Sequence, residues 1–148
     1  MSTAFETAQD TEDSFYDAFE EADLEKMMSA WDDTHDIACI QPMREAVQGQ
    51  AAVRESWAEL FRSGTDVEIE IHHQHWIETG DTAIHIVHEQ LILNADRQRK
   101  PPPLIATNVY RKGPDGWRMV LHHASPPPPP RMPPVPGMGP GMGPPPHV

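Results

Sequence analysis

From Val67 to Ser125 the chain alternates apolar and polar residues in long runs, and short turns punctuate them at Thr79-Gly80-Asp81 and Gly113-Pro114-Asp115-Gly116. A two-residue period is what a strand with one buried face requires, and no helix can use it. Before Gly64 the period is helical instead. Phe15, Ala18, Phe19 and Ala22 predict one helix, broken near Asp23. Asp23 caps a second, short helix carrying Leu24, Met27, Met28 and Trp31. Ile37-Ala38-Cys39-Ile40 reads as a short strand stopped by Pro42, and a third helix follows Gly49 with Val53, Trp57, Leu60 and Phe61 on one side. Helices gathered in the first half and long strands in the second describe an α+β domain with three helices covering one face of a curved antiparallel sheet.

The strands end where the backbone loses its donors. Residues 126–148 hold 12 of the chain's 17 prolines and, as apolar residues, only Met and Val. Such a segment cannot offset the entropy of folding and is expected to be a disordered or polyproline II tail. Its PxxP spacing around Arg131 is compatible with docking into an aromatic groove, although a solvating tail needs no partner. The expected organisation is therefore one domain over 1–125 and a tail over 126–148.

Charge excludes some functions. The tail holds one of the 11 basic residues and none of the 23 acids, so the domain is strongly anionic. It repels phosphate backbones and anionic lipid heads, which argues against nucleic-acid and membrane partners. The first residues carry neither a basic start nor an apolar run, and no stretch reaches the ~20 apolar residues of a membrane helix. A single cysteine, Cys39, sits in an apolar run as a small core residue. The expected location is the cytoplasm.

The order of elements, Trp31-Asp32-Asp33 after the second helix, Gln48-Gly49 before the third and the segment ATNVYRKGPDGWRMVLHHASP resemble the SnoaL-like branch of the nuclear transport factor 2 superfamily, which includes ketosteroid isomerase. The resemblance implies a cone, its sheet wrapped around a pocket plugged by helices, and a homodimer formed through the outer sheet face. It also places Gln41, in IQP, where the isomerases carry a general-base carboxylate. Asn108, in NVYRK, stands where they carry a protonated acid, and Phe15, with Tyr16 beside it, where they carry a tyrosine. Glutamine has no proton-accepting equilibrium near neutral pH, so isomerase chemistry does not transfer directly.

Strict alternation along the last strand puts Trp117, Met119, Leu121, His123 and Ser125 on the apolar, inward side and turns His122 outward. The expected catalytic set is therefore His123 as proton carrier, with Asn108 and Gln41 orienting a substrate oxygen; Tyr16, Trp31, Leu121 and Ser125 are the expected pocket walls. The structural alternative for His123 is a satisfied core histidine bonded to a backbone carbonyl or to Asp36. The remaining histidines raise a metal. With a two-residue turn at Gly80-Asp81, His73 faces His88 and His72 faces Glu89, and His73, His75 and His88 share a face with Ile69, Ile71, Ile77, Ile84, Ile86 and Ile92. That face serves equally as a dimer interface, and the expected protein carries neither metal nor cofactor. Two functions stay open: a cofactor-independent acid/base enzyme of isomerase, cyclase or lyase type on a small apolar organic ligand, and a non-catalytic ligand-binding or dimerisation module.

Overall fold

The structure, a computed structural model, describes residues 5–129 apart from 35 and 65. Helix α1 (Ala8–Glu21) starts at a reciprocal cap. Thr7 Oγ1 accepts from the Asp10 backbone N–H at 3.0 Å, and Asp10 Oδ2 accepts from the Thr7 N–H at 3.2 Å. It ends at Ala22, whose left-handed φ of 53° lets the chain reverse. The Asp23 side chain then caps α2 (Leu24–Ser29) through the Lys26 N–H. Strands β1 (Ala38–Ile40) and β2 (Val47–Gln48) lead to α3 (Gln50–Arg62). The chain finishes with β3 (Val67–Glu78), β4 (Thr82–Leu93), β5 (Leu104–Gly113) and β6 (Gly116–Ser125). Residues 126–129, the start of the expected 126–148 tail, have no regular structure, and 130–148 lie outside the described residues.

The six strands form one curved, unclosed sheet in the order β2-β1-β6-β5-β4-β3, with the helices packed on its inner face. The expected α+β class holds. The sheet departs from all-antiparallel pairing at one junction, where β1 runs parallel to β6 with Cys39 opposite His122. Phe15, Phe19 and Trp57 pack edge to face with ring centroids 5.2–5.3 Å apart about Trp57, and Met27, Tyr110 and Met119 complete the fully covered centre. Each such side chain contributes roughly 1.5–3 kcal/mol by leaving water, and that burial fixes α1 and α3 against β5 and β6.

Two bulges decide which residues reach that interior. In β3 the pairing passes from His73 opposite Val87 to His75 opposite Ile86, so Gln74 is an extra residue. In β6 it passes from Met119 opposite Tyr110 to Leu121 opposite Val109, so Val120 is extra. The second bulge lies where β6 changes neighbours. Met119 bonds to Ala30 and Asp32 at the exit of α2, whereas residues 121–123 pair with β1. One inserted residue exchanges the two faces of everything beyond it. Trp117 and Met119 point inward before the bulge, and His122 and Ala124 do so after it.

That inversion corrects the expected orientations. His123 is exposed on the outer face opposite Thr107, and His122 takes the inward place. Leu121 and Ser125 also fall on the outer face and are half-buried there. The bulge at Gln74 likewise breaks the single register expected for the β3–β4 hairpin. His73 pairs with Val87, His72 pairs with His88, and Glu89 lies opposite Ile71. Ile69 and Ile71 therefore face inward, while Ile77, Ile84 and Ile86 face outward with His75 and His88.

Candidate functional site

Inward positions on α1 recur as Glu12, Phe15, Tyr16 and Phe19, one side of a helix. Alternation brings His85, Val87 and Glu89 inward from β4, and Ala106, Asn108 and Tyr110 from β5. The polar members sort into two networks along α1, one turn apart.

The first runs from Glu89 to His122. The Tyr16 hydroxyl donates to Glu89 Oε2 at 2.6 Å and accepts from Asn108 Nδ2 at 2.8 Å. Asn108 has its amide nitrogen committed to Tyr16, so its Oδ1 accepts from His122 Nδ1 at 2.6 Å. This places a proton on His122 Nδ1. Burial makes the ring neutral: it pulls the His122 pKa down to about 3, with the charge of His123 acting in the same direction. Burial also pushes the Glu89 carboxyl up to about 7, opposed in part by the Tyr16 hydrogen bond. Tyr16 itself is driven well above its ordinary value by burial and by the neighbouring Glu89 charge. Near neutral pH the Glu89 carboxyl is therefore partly protonated.

Glu89 and His122 open onto a cavity of roughly 240 Å³. Its apolar walls include Phe19, Pro42, Leu60, Val67, Leu91 and Leu104; Gln41 and Ser56 add polar groups, and Arg44 lies beside them, ion-paired to Glu59 at 3.3 Å. Few polar groups set among apolar walls is the usual composition of a small-molecule site.

Of the expected site residues, the structure brings Asn108 and Gln41 to this region in different roles. Gln41 lines the cavity. Asn108 is fully buried behind it and ties Tyr16 to His122. Tyr16 touches Glu89, whereas Trp31 is buried at its junction with Met119, away from the cavity lining. His123, Leu121 and Ser125 take no part in it. Cys39 is buried, and burial pushes its thiol up to about 12, leaving it inert.

Sequence reasoning missed Glu89 and His122. Glu89 carries a legible signal, because it shares inward parity with Ala83, His85 and Val87. The inward turn of His122 depends on the Val120 bulge, which no residue type announces.

The second network centres on Glu12, only 1 % exposed. Its Oε1 accepts from His73 Nε2 at 2.6 Å, its Oε2 from His85 Nδ1 at 2.6 Å, and the Tyr110 hydroxyl lies 3.3 Å from Oε2. Burial raises the Glu12 carboxyl, but hydrogen bonds and charge from His85 and His73 outweigh it and hold the group below its ordinary value.

Comparison with known proteins matches residues 9–129 to the sequence profile of the SnoaL-like domain. The chain belongs to the SnoaL-like domain family. Among solved structures, this SnoaL-like domain is similar to a protein of Thiobacillus denitrificans described as a putative calcium/calmodulin-dependent protein kinase type II association domain. The two share 41% identity over 83% of this chain and 97% of that one, with a TM-score of 0.80. It is also similar to a putative dehydratase of the NTF2-like family from Streptomyces avermitilis (28% identity, 78% and 90% of the two chains, TM-score 0.69). An NTF2-like protein of unknown function from Pseudomonas putida shares the fold at 17% identity, covering 79% and 82%, with a TM-score of 0.66. Comparison with curated proteins gives no match. The SnoaL-like fold supports a small-ligand-binding role, and among the described residues no helix is long and apolar enough to cross a membrane.

Proposed function

We propose that this SnoaL-like domain binds a small, largely apolar organic molecule in the Glu89 cavity and performs cofactor-independent proton transfer on it in the cytoplasm. The observation that carries this reading is a carboxyl poised near pH 7 on the wall of an otherwise apolar cavity, with a neutral imidazole beside it. Glu89 replaces His123 as the proton carrier. In its ionised form it removes a proton from a carbon or hydroxyl of the ligand, and in its protonated form it returns one elsewhere. The Gln41 amide orients a ligand oxygen at the same wall. Asn108 and Tyr16 act through others: Tyr16 stabilises the Glu89 carboxylate, and Asn108 holds Tyr16 and His122 in register.

The test begins with native mass spectrometry of the full chain purified from cells, followed by release and identification of the retained small molecule. Incubated in heavy water, the wild-type protein incorporates deuterium into that molecule and Glu89→Gln does so at least about 100-fold more slowly, the usual scale of a general-base contribution. Equal incorporation by both proteins removes Glu89 from the chemistry.

A second reading, association of two copies, is supported by the outer sheet face. Ile84 lies opposite Val109, which lies opposite Leu121, and Ile77 is 52 % exposed beside them. The Thiobacillus protein's description as a putative association domain agrees with it. Sedimentation equilibrium of the full chain then gives a dimer, and Ile84→Glu gives a monomer; a wild-type monomer contradicts pairing through this face.

A further inference from the structure

Glu12, His73 and His85 offer one ligand atom each within 4.8 Å of one another, on three different elements: α1, β3 and β4. This cluster takes no part in the Glu89 cavity. Two imidazoles and one carboxylate form a donor set that suits zinc, iron, nickel or copper and disfavours magnesium and calcium, which require oxygen donors. The histidines enter it only because of the Gln74 bulge and the inward parity of β4, so the ligand set differs from the group of His73, His75 and His88 that the sequence raised.

The geometry points to a three-ligand site for a divalent transition-metal ion of the zinc class at Glu12, His73 and His85. Around an ion with bonds of roughly 2.1 Å, neighbouring donors stand about 3.4 Å apart. The two Glu12 contacts at 2.6 Å need lengthen by less than about 1 Å for the ion to take the place of the two shared hydrogens. Both rings are already constrained. His85 is fully buried and stacks on Trp76 at 3.7 Å, while His73 lies 5.2 Å from the same indole. The Tyr110 hydroxyl, 3.3 Å from Glu12 Oε2, stands where a supporting hydrogen bond to a ligating carboxylate belongs.

Access is open on one side. The His73 side chain is 34 % exposed, and the groove it shares with Glu12 is rimmed by Asp13, Asp17 and Glu20. Those carboxylates raise the local concentration of cations at its mouth. Three protein ligands leave positions for water or a bound anion, the arrangement of a reactive rather than a closed structural site.

The test uses the full chain without a histidine tag, stripped with EDTA, in a background where His72, His75, His88, His123 and His147 are replaced by Ala. Calorimetry with Zn²⁺ and the visible absorption of bound Co²⁺ give the affinity and the ligand field. The expected result is one ion per chain in that background, with Co²⁺ bands typical of nitrogen and oxygen donors. His73→Ala, a partly exposed position that leaves the core intact, binds more than about 100-fold more weakly, and Tyr110→Phe, which keeps all three ligands, about tenfold more weakly. Near-UV circular dichroism of each variant establishes that it is folded. Absence of binding in the background protein, or binding that survives His73→Ala undiminished, overturns the assignment.

Discussion

Replacing Glu89 with Gln changes how stability depends on pH, and the change follows from two buried groups. Raising a carboxyl from 4.5 to about 7 costs the folded state about 3 kcal/mol once the group is ionised. Because the native carboxyl holds its proton more tightly than the unfolded one, its stabilising contribution is complete below pH 4.5 and is lost as the pH rises through about 7. His122 works the other way. Its pKa falls from 6.5 to about 3, so its contribution is complete above pH 6.5 and is lost as the pH falls through about 3. Between pH 4.5 and 6.5 the unfolded chain holds one proton on His122 and the native chain holds one on Glu89. The proton counts match, and the pair contributes no slope. In Glu89→Gln only His122 remains. The variant gains about 1.4 kcal/mol per pH unit, or about 3 kcal/mol across that window, relative to wild type. Urea unfolding of both proteins at closely spaced pH values reads this directly, since every other titrating group cancels in the difference. Parallel profiles would contradict the raised Glu89 pKa, because they would mean that Glu89 titrates in the folded protein as it does in the unfolded one.

Three further outcomes are expected. Tyr16→Phe removes the donor that partly relieves buried Glu89, costing roughly 1–3 kcal/mol and raising the Glu89 pKa further; urea denaturation and a pH titration read the two effects. His122→Ala leaves Asn108 Oδ1 buried without its donor and opens a void, a loss of about 3 kcal/mol, whereas exposed His123→Ala stays within about 0.5 kcal/mol; thermal denaturation of the two variants separates the faces of β6. Gly116→Ala places a methyl 2.5 Å from the Phe5 carbonyl oxygen at a φ of +94°, and chemical denaturation should show a loss of about 2 kcal/mol or more.

The fold was legible because its determinants are periodic. Phe15, Ala18 and Phe19 mark the buried side of α1, Val53 and Trp57 that of α3, and alternation marks β4 to within a residue of its observed ends. The site was legible only where that period runs unbroken. Asn108 lies on a regular stretch of β5, and its inward placement follows from parity. Past Val120 the same rule assigns His122 and His123 to the wrong faces, since a bulge is decided by backbone partners. Here those partners are the Trp31 segment on one side of the break and β1 on the other. Gln74 has the same effect on the hairpin histidines. Glu12 and Glu89 pose a different difficulty. Acidic residues on apolar stripes look like breaks in the pattern until tertiary contacts show Tyr16 against one and two imidazoles against the other.

The proposed proton transfer requires Glu89 to exchange its proton near neutral pH at the wall of the cavity. Carbon-13 NMR of the glutamate side-chain carboxyls, with the Glu89 signal assigned by its loss in Glu89→Gln, reads that proton directly. The expected midpoint of this resonance is about 7. A Glu89 midpoint near 4.5, the ordinary glutamate value, would contradict it.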